Sequence, residues 1–156
     1  MRLHVIAIGD RLADWQQAAC DDYARRFVRP WSLEVVPLRA EPRSEGRAVD
    51  RMAAAEGERL LAAAPRGARR VVLDERGRAL STRQLADRLA DWQTCGGDAA
   101  FLLGGPDGHA PAVREGADLL LALSPMTLPH GLARVVLLEQ LYRATTILSG
   151  HPYHRD

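Results

Sequence analysis

A chain of 156 residues is long enough to bury a core without disulfides or a metal, and its size suits one domain. The formal net charge of +1 excludes a protein that coats long RNA through counterion release, so any nucleic-acid contact must be local. All 21 basic residues are arginine, which serves bidentate phosphate recognition or simply reflects genomic base composition, and the second reading carries more weight.

The opening MRLHVIAIGD carries an apolar run from Leu3 to Ile8, closed by Gly9, that reads as a buried strand. It is too brief for a signal peptide or a spanning helix, so no membrane address is expected. Leu12 to Arg29 is helical in composition and is stopped by Pro30. Leu33 to Leu38 is a second strand, and Arg39 to Arg47, with Pro42 and Gly46, reads as a charged exposed loop. A helix follows over about Ala48 to Ala64, with Arg51, Glu56, Glu58 and Arg59 on its wet side and Pro65 and Gly67 at its end. Arg70 to Asp74 is a brief strand, after which Glu75 to Arg78 reads as a solvated charged turn. Ser81 with Gln84 forms a capping-box pattern that opens a helix through Trp92, broken by Gly96 and Gly97. Ala99 to Leu103 is a further strand, Pro111 to Glu115 a short helix, and Leu119 to Leu123 the last strand. Short, nearly continuous apolar strands alternating with helices predict an α/β protein, a doubly wound parallel sheet covered on both faces. No repeat, low-complexity tract or interdomain linker divides residues 1 to 156. Cys20 and Cys95 match no metal spacing, and two isolated thiols suit a reducing cytoplasm.

In open parallel sheets ligands sit beyond the carboxyl ends of the strands, which singles out the loops after Leu73, Leu103 and Leu123. The loop after Leu103 reads GGPDGH, where Gly104 and Gly105 let backbone amides approach a ligand; the same residues also suit a tight turn. Neither GxxxxGK[ST] nor GxGxxG is present, so this is not a known phosphate loop. The loop after Leu123 reads SPMTLPH, with hydroxyls on Ser124 and Thr127 and apolar contact from Met126 and Leu128. N-capping by Thr127 and a helix start at Pro129 explain part of it, and leave His130 at the mouth of the sheet one turn before Arg134.

The final helix is apolar at Val135, Val136, Leu137, Leu138 and Leu141, more of its circumference than one buried stripe requires, so it is either central or meets a partner. Glu139 and Arg143 stand four apart in the order that favours a helical ion pair. The last seven residues, GHPYHRD, have no periodicity and would fray if nothing held them. Tyr153, His154 and Arg155 nevertheless bring together a stacking ring, a titratable donor and a phosphate fork.

FLLGGPDGH at Phe101 to His109, LSPMTLPH at Leu123 to His130, and ARVVLLEQLYRA with HPYHRD at the end together resemble the ribosomal large-subunit pseudouridine methyltransferase H family, one of the SPOUT methyltransferases. The resemblance runs through the whole chain, is most specific in the last third, and holds only in outline over residues 39 to 66. It implies a C-terminal trefoil knot, a homodimer, and S-adenosylmethionine held by Leu73, Gly104, Gly105, Leu123, Ser124, Pro125, Met126, Thr127 and Leu128. Pro125 lies in a loop the family varies. The implied substrate is N3 of a pseudouridine in large-subunit rRNA of the assembled ribosome, in the cytoplasm, with no metal required.

On that resemblance, His154 is the first candidate for the group that takes the N3 proton and His130 the second. Tyr153, His154 and Arg155 are expected to close over the other subunit's cofactor pocket, with Arg134 and Arg143 steering rRNA phosphates. The competing expectations are a nucleotide-binding module without chemistry and a ribosome-associated factor without a cofactor. A hydrolase is disfavoured because no GxSxG elbow is present.

Overall fold

Strand residues of alternate parity feed two separate cores, which is why these strands are apolar at nearly every position. Val5, Ala7, Val71, Phe101 and Leu103 face one core, while Ile6, Ile8, Val72, Ala100 and Leu102 face the other. The computed structural model describes residues 1–43 and 48–154; the loop reading over 44–47 and the role expected of Arg155 lie outside the described residues.

The elements are β1 (Arg2–Ile8), α1 (Asp14–Arg25), β2 (Ser32–Leu38), α2 (Val49–Ala63), β3 (Arg69–Ala79), α3 (Thr82–Cys95), β4 (Ala99–Leu103), α4 (Pro111–Glu115), β5 (Leu119–Ala122) and α5 (His130–Ser149). The five strands are parallel in the order β2-β1-β4-β3-β5. Leu85 and Leu89 of α3, Cys20 of α1, and Leu137, Leu138 and Leu141 of α5 cover the first core. Ala53 and Leu60 of α2 with Val113 of α4 cover the second. The final helix is therefore central, packed against α1 and α3. Among the described residues no helix is long and apolar enough to cross a membrane.

The capping box expected at Ser81 is formed: its Oγ accepts the Gln84 N–H at 3.2 Å, and the Gln84 side chain accepts the Ser81 N–H at 2.9 Å. Cys20 is buried and Cys95 exposed, both as free thiols.

Three local readings are corrected. The helix expected to reach Arg29 ends at Arg25, short of Pro30, and α5 begins at His130 with Pro129 as its N-cap and no side-chain cap from Thr127. Glu56 is not on the wet side of α2 but 2% exposed, because it shares a face with Met52 and Leu60. Its Oε1 accepts the Glu41 N–H at 2.9 Å, while its Oε2 is buried without a hydrogen-bond partner.

The third correction matters most. Glu75 to Arg78 is not a turn: β3 runs on to Ala79. Leu121 of β5 is paired both with Leu73 and with Arg78, and Ala122 with Ala79. The register therefore shifts between the two pairings, and residues 74–77 lie between them. Gly77 makes this close approach to β5 possible, since a Cβ there would lie 2.7 Å from backbone atoms of Leu120 and Leu121.

Candidate functional site

A cavity of about 350 Å³ opens beyond the carboxyl ends of β3 and β5, within the size range of small-molecule sites. Leu73, Gly105 and Leu123 line it, and so do Ser124, Met126, Thr127 and Leu128. Gly104 and Pro125 do not border it. Gly104 instead turns its N–H towards His109 Nε2 at 3.1 Å.

The glycines of GGPDGH serve close approach more than unusual dihedrals, since only Gly108 has positive φ, at +78°. A Cβ on Gly104 would meet the Gly108 carbonyl oxygen at 3.0 Å, and one on Gly105 would meet Glu56 Oε2 at 2.5 Å. Buried Glu56 thus packs directly behind the turn that forms the cavity wall.

Sequence reasoning missed the polar side of the cavity, where Asp74, Arg114 and His109 stand. Asp74 Oδ1 accepts the Arg76 N–H at 2.9 Å, and Oδ2 lies 3.3 Å from Arg114 Nη1. Burial pushes the Asp74 carboxyl up, but the Arg76 N–H and the Arg114 guanidinium outweigh it and hold it below the ordinary carboxylate value. His109 is 5% exposed, and its Nε2 lies between the Gly104 N–H and the Leu73 carbonyl, at 3.1 and 3.0 Å. One tautomer satisfies the first contact and the other the second. The GGPDGH run held the signal for His109, and Asp74 was visible only as the last residue of RVVLD.

His130 and Arg134 do not line the cavity. Arg134 is 2% exposed, and its Nη2 donates to the Gly9 carbonyl at 2.6 Å and approaches His130 Nε2 at 3.2 Å. This corrects the expectation of a surface guanidinium free for phosphate: the carbonyls at the end of β1 need donors, and Arg134 supplies one from the inner face of α5. A guanidinium only donates, so His130 Nε2 carries the lone pair and its proton sits on Nδ1.

The described part of the tail, 150–154, is held by specific contacts. Gly150, at φ +67°, ends α5, and the His151 N–H returns to the Thr146 carbonyl at 2.9 Å. Tyr153 packs edge-on against Tyr142, ring centroids 4.8 Å apart, and donates to Glu139 Oε1 at 3.1 Å. The expected ion pair is present, with Arg143 Nε 2.8 Å from Glu139 Oε1, and the same guanidinium lies over the Tyr153 ring at 4.7 Å. Burial first, then the hydrogen bonds with Tyr23 and Glu139, raise the Tyr153 phenol far above its usual range, so it stays protonated. Within one chain, then, Tyr153 packs on α1 and α5, and neither Tyr153 nor His154 borders the cavity.

Burial lowers the pKa of both His109 and His130, in the second case with help from Arg134. In the window below the ordinary value of 6.5 the unfolded chain binds protons that the folded chain refuses. Their contribution is complete above that pH and is lost as pH falls, by at most about 1.4 kcal/mol per pH unit for each histidine. Urea unfolding between about pH 7.5 and 5 checks this, and replacing both histidines with Gln should flatten the dependence.

A family model described as Predicted SPOUT methyltransferase matches residues 1–154. The chain is 54% identical, over the full length of both proteins, to the Ribosomal RNA large subunit methyltransferase H of Methylibium petroleiphilum. Proteins of the same name from Leptothrix cholodnii and Acidovorax ebreus are 52% and 51% identical, again over the whole of each chain.

Proposed function

The chain belongs to the SPOUT methyltransferase family, and on that premise we propose that it methylates N3 of a pseudouridine in large-subunit rRNA, using S-adenosylmethionine. The observation that carries this reading is the cavity at the strand ends, walled by the loops after Leu73 and Leu123 and by Gly105. Relatives about half identical over their full length carry the name of a large-subunit rRNA methyltransferase.

The residues present fit the methyl donor. Leu73, Leu121, Leu123 and Leu128 offer apolar wall, Ser124 and Thr127 offer hydroxyls, and the ionised Asp74 suits a ligand with a positive centre. S-adenosylmethionine, when bound, supplies a methyl group on a cationic sulfur. The chain's own task is to hold N3 of the base in line with that methyl and to take up or stabilise what the departing N3 proton leaves behind. We assign the proton to His154, because the Nε2 lone pair of His130 is already taken by Arg134. Arg134 acts as a positioning residue for His130 and the end of β1, while Arg143 holds Tyr153 and, with Arg155, meets substrate phosphates.

We further infer a single-domain homodimer whose C-terminal part is threaded as a trefoil knot. The double pairing of Leu121 supports the knot, and the separation of the tail from its own cavity supports the dimer, because a second copy can bring a tail to it. The substrate is the assembled ribosome in the cytoplasm, which accords with a net charge of only +1. Incubation of the protein and labelled S-adenosylmethionine with assembled ribosomes, free large subunits and deproteinised rRNA, followed by mass spectrometry of the nucleosides, tests this. The expected product is one methylated pseudouridine, formed fastest in assembled ribosomes; no label in any sample overturns the reading.

A further inference from the structure

Arginines on this chain differ in how they are partnered. Arg26, Arg43, Arg59, Arg114 and Arg143 are each paired with a carboxylate. Arg2, Arg29, Arg69 and Arg70 have no ion pair among the described residues, and all stand where strands begin, on the face opposite the cavity. Two open clefts lie side by side there, across the start of β4. One, of about 890 Å³, is lined by Arg2, Arg29 and Asp98, and the other, of about 410 Å³, by Arg69, Arg70 and Asp118.

The two aspartates offset only part of this charge, since each cleft holds two arginines to one aspartate. Asp98 Oδ1 accepts the Arg2 N–H and Asp118 Oδ2 the Arg70 N–H, each at 2.7 Å, so both carboxylates also cap the backbone at the strand starts. The sheet order sets the span of the row. Arg29 precedes β2, Arg2 begins β1 and Arg69 begins β3, so the guanidiniums run across three strand spacings, about 15 Å. Met1, Pro30 and Trp31 also line the first cleft, but Trp31 is only 5% exposed, and a row of guanidinium forks fits a phosphate backbone better than a protein partner, whose interface would bury an apolar core.

We propose that this face is a second contact surface for rRNA, which grips phosphates on the side away from the cavity. The inference rests on the rRNA-substrate reading above and goes beyond it, since nothing in the methyl-transfer site requires the strand starts. It gives the near-neutral chain a local electrostatic hold at a distance from the cavity.

The test compares Arg2→Gln/Arg69→Gln with Arg51→Gln/Arg88→Gln, which removes the same charge from exposed positions on α2 and α3. Binding to assembled ribosomes is measured by cosedimentation from about 50 to 200 mM salt. The first pair should bind more weakly and show a log–log salt slope smaller by about 1.4 to 1.8, at roughly 0.7 to 0.9 for each phosphate no longer neutralised. S-adenosylmethionine affinity by calorimetry should be unchanged, and Arg29→Gln, outside any strand, should give a smaller effect of the same kind. Coincidence of the two double variants overturns the proposal, and so does weaker binding with an unchanged salt slope, which would place a protein partner on this face. A parent protein that binds no ribosomal particle at any salt overturns the rRNA reading itself.

Discussion

Removing residues 151–156 is expected to reduce methyl transfer by about 10² to 10⁴-fold, the range for losing a positioned acid–base group, while leaving S-adenosylmethionine affinity within about threefold. The ground is the arrangement within one chain: the cavity wall is built by the loops after β3, β4 and β5, and neither Tyr153 nor His154 is part of it. The tail is nevertheless placed by specific contacts, held at Glu139 and Tyr142 and capped through Thr146. In the proposed homodimer, a segment held away from its own cavity is placed to serve the cavity of the second copy. Mixing the truncated protein with a Thr127→Trp variant, which places a bulky ring on the cavity lining, should therefore restore activity that neither has alone. Full activity in the truncated protein, or no recovery in the mixture, would remove the tail from the mechanism. His154→Gln should reproduce most of the loss with the fold intact, and near-parent activity in that variant would transfer the proton to another group.

The second large effect is expected at Gly77. Its φ is unremarkable, and the residue is required for space: an added Cβ would sit 2.7 Å from the backbone of Leu120 and Leu121, which cannot swing aside as a side chain would. Gly77→Ala should cost about 3 kcal/mol, the upper end of ordinary overpacking, and Gly77→Val should prevent folding. Gly67→Ala is the contrast. That residue has φ +77° and nothing within 4 Å of an added Cβ, so only the dihedral penalty of about 1 to 2 kcal/mol applies. Urea unfolding of the two alanine variants separates crowding from strain. Equal losses would mean that the close approach to β5 relaxes without cost. Because Asp74, Glu75 and Arg76 line the cavity, Gly77→Ala should also weaken S-adenosylmethionine binding, whereas Gly67→Ala should not.

Much of this was legible in the sequence because it depends on local pattern. Strand periodicity, the Ser81 cap, the stop before Gly96 and the loops at the carboxyl edge all follow from neighbours a few residues away. What escaped depends on pairing between distant segments. Glu75 to Arg78 has the composition of a turn, and only the pairing with β5 draws it into a strand. Glu56 looks like any helical surface acid until the loop at Glu41 and the turn at Gly105 close around it. Arg134 has the same chemistry whether it meets phosphate or carbonyl, and its partner, the end of β1, lies 125 residues away. The tail contains the residues expected to do chemistry, but its sequence gives no sign that they rest against α1 and α5.

The bracketing of Leu121 by Leu73 and Arg78 has a consequence for assembly. In the proposed knot β5 is held along both flanks by successive stretches of one neighbour, so it enters and leaves lengthwise. Asp74, Glu75 and Arg76, which line the cavity, belong to the stretch between the two pairings, so on that reading no half-assembled chain presents them in working form. Ligand affinity then gauges complete threading. In refolding from denaturant it should return last, after α1 to α4 and the first four strands have closed.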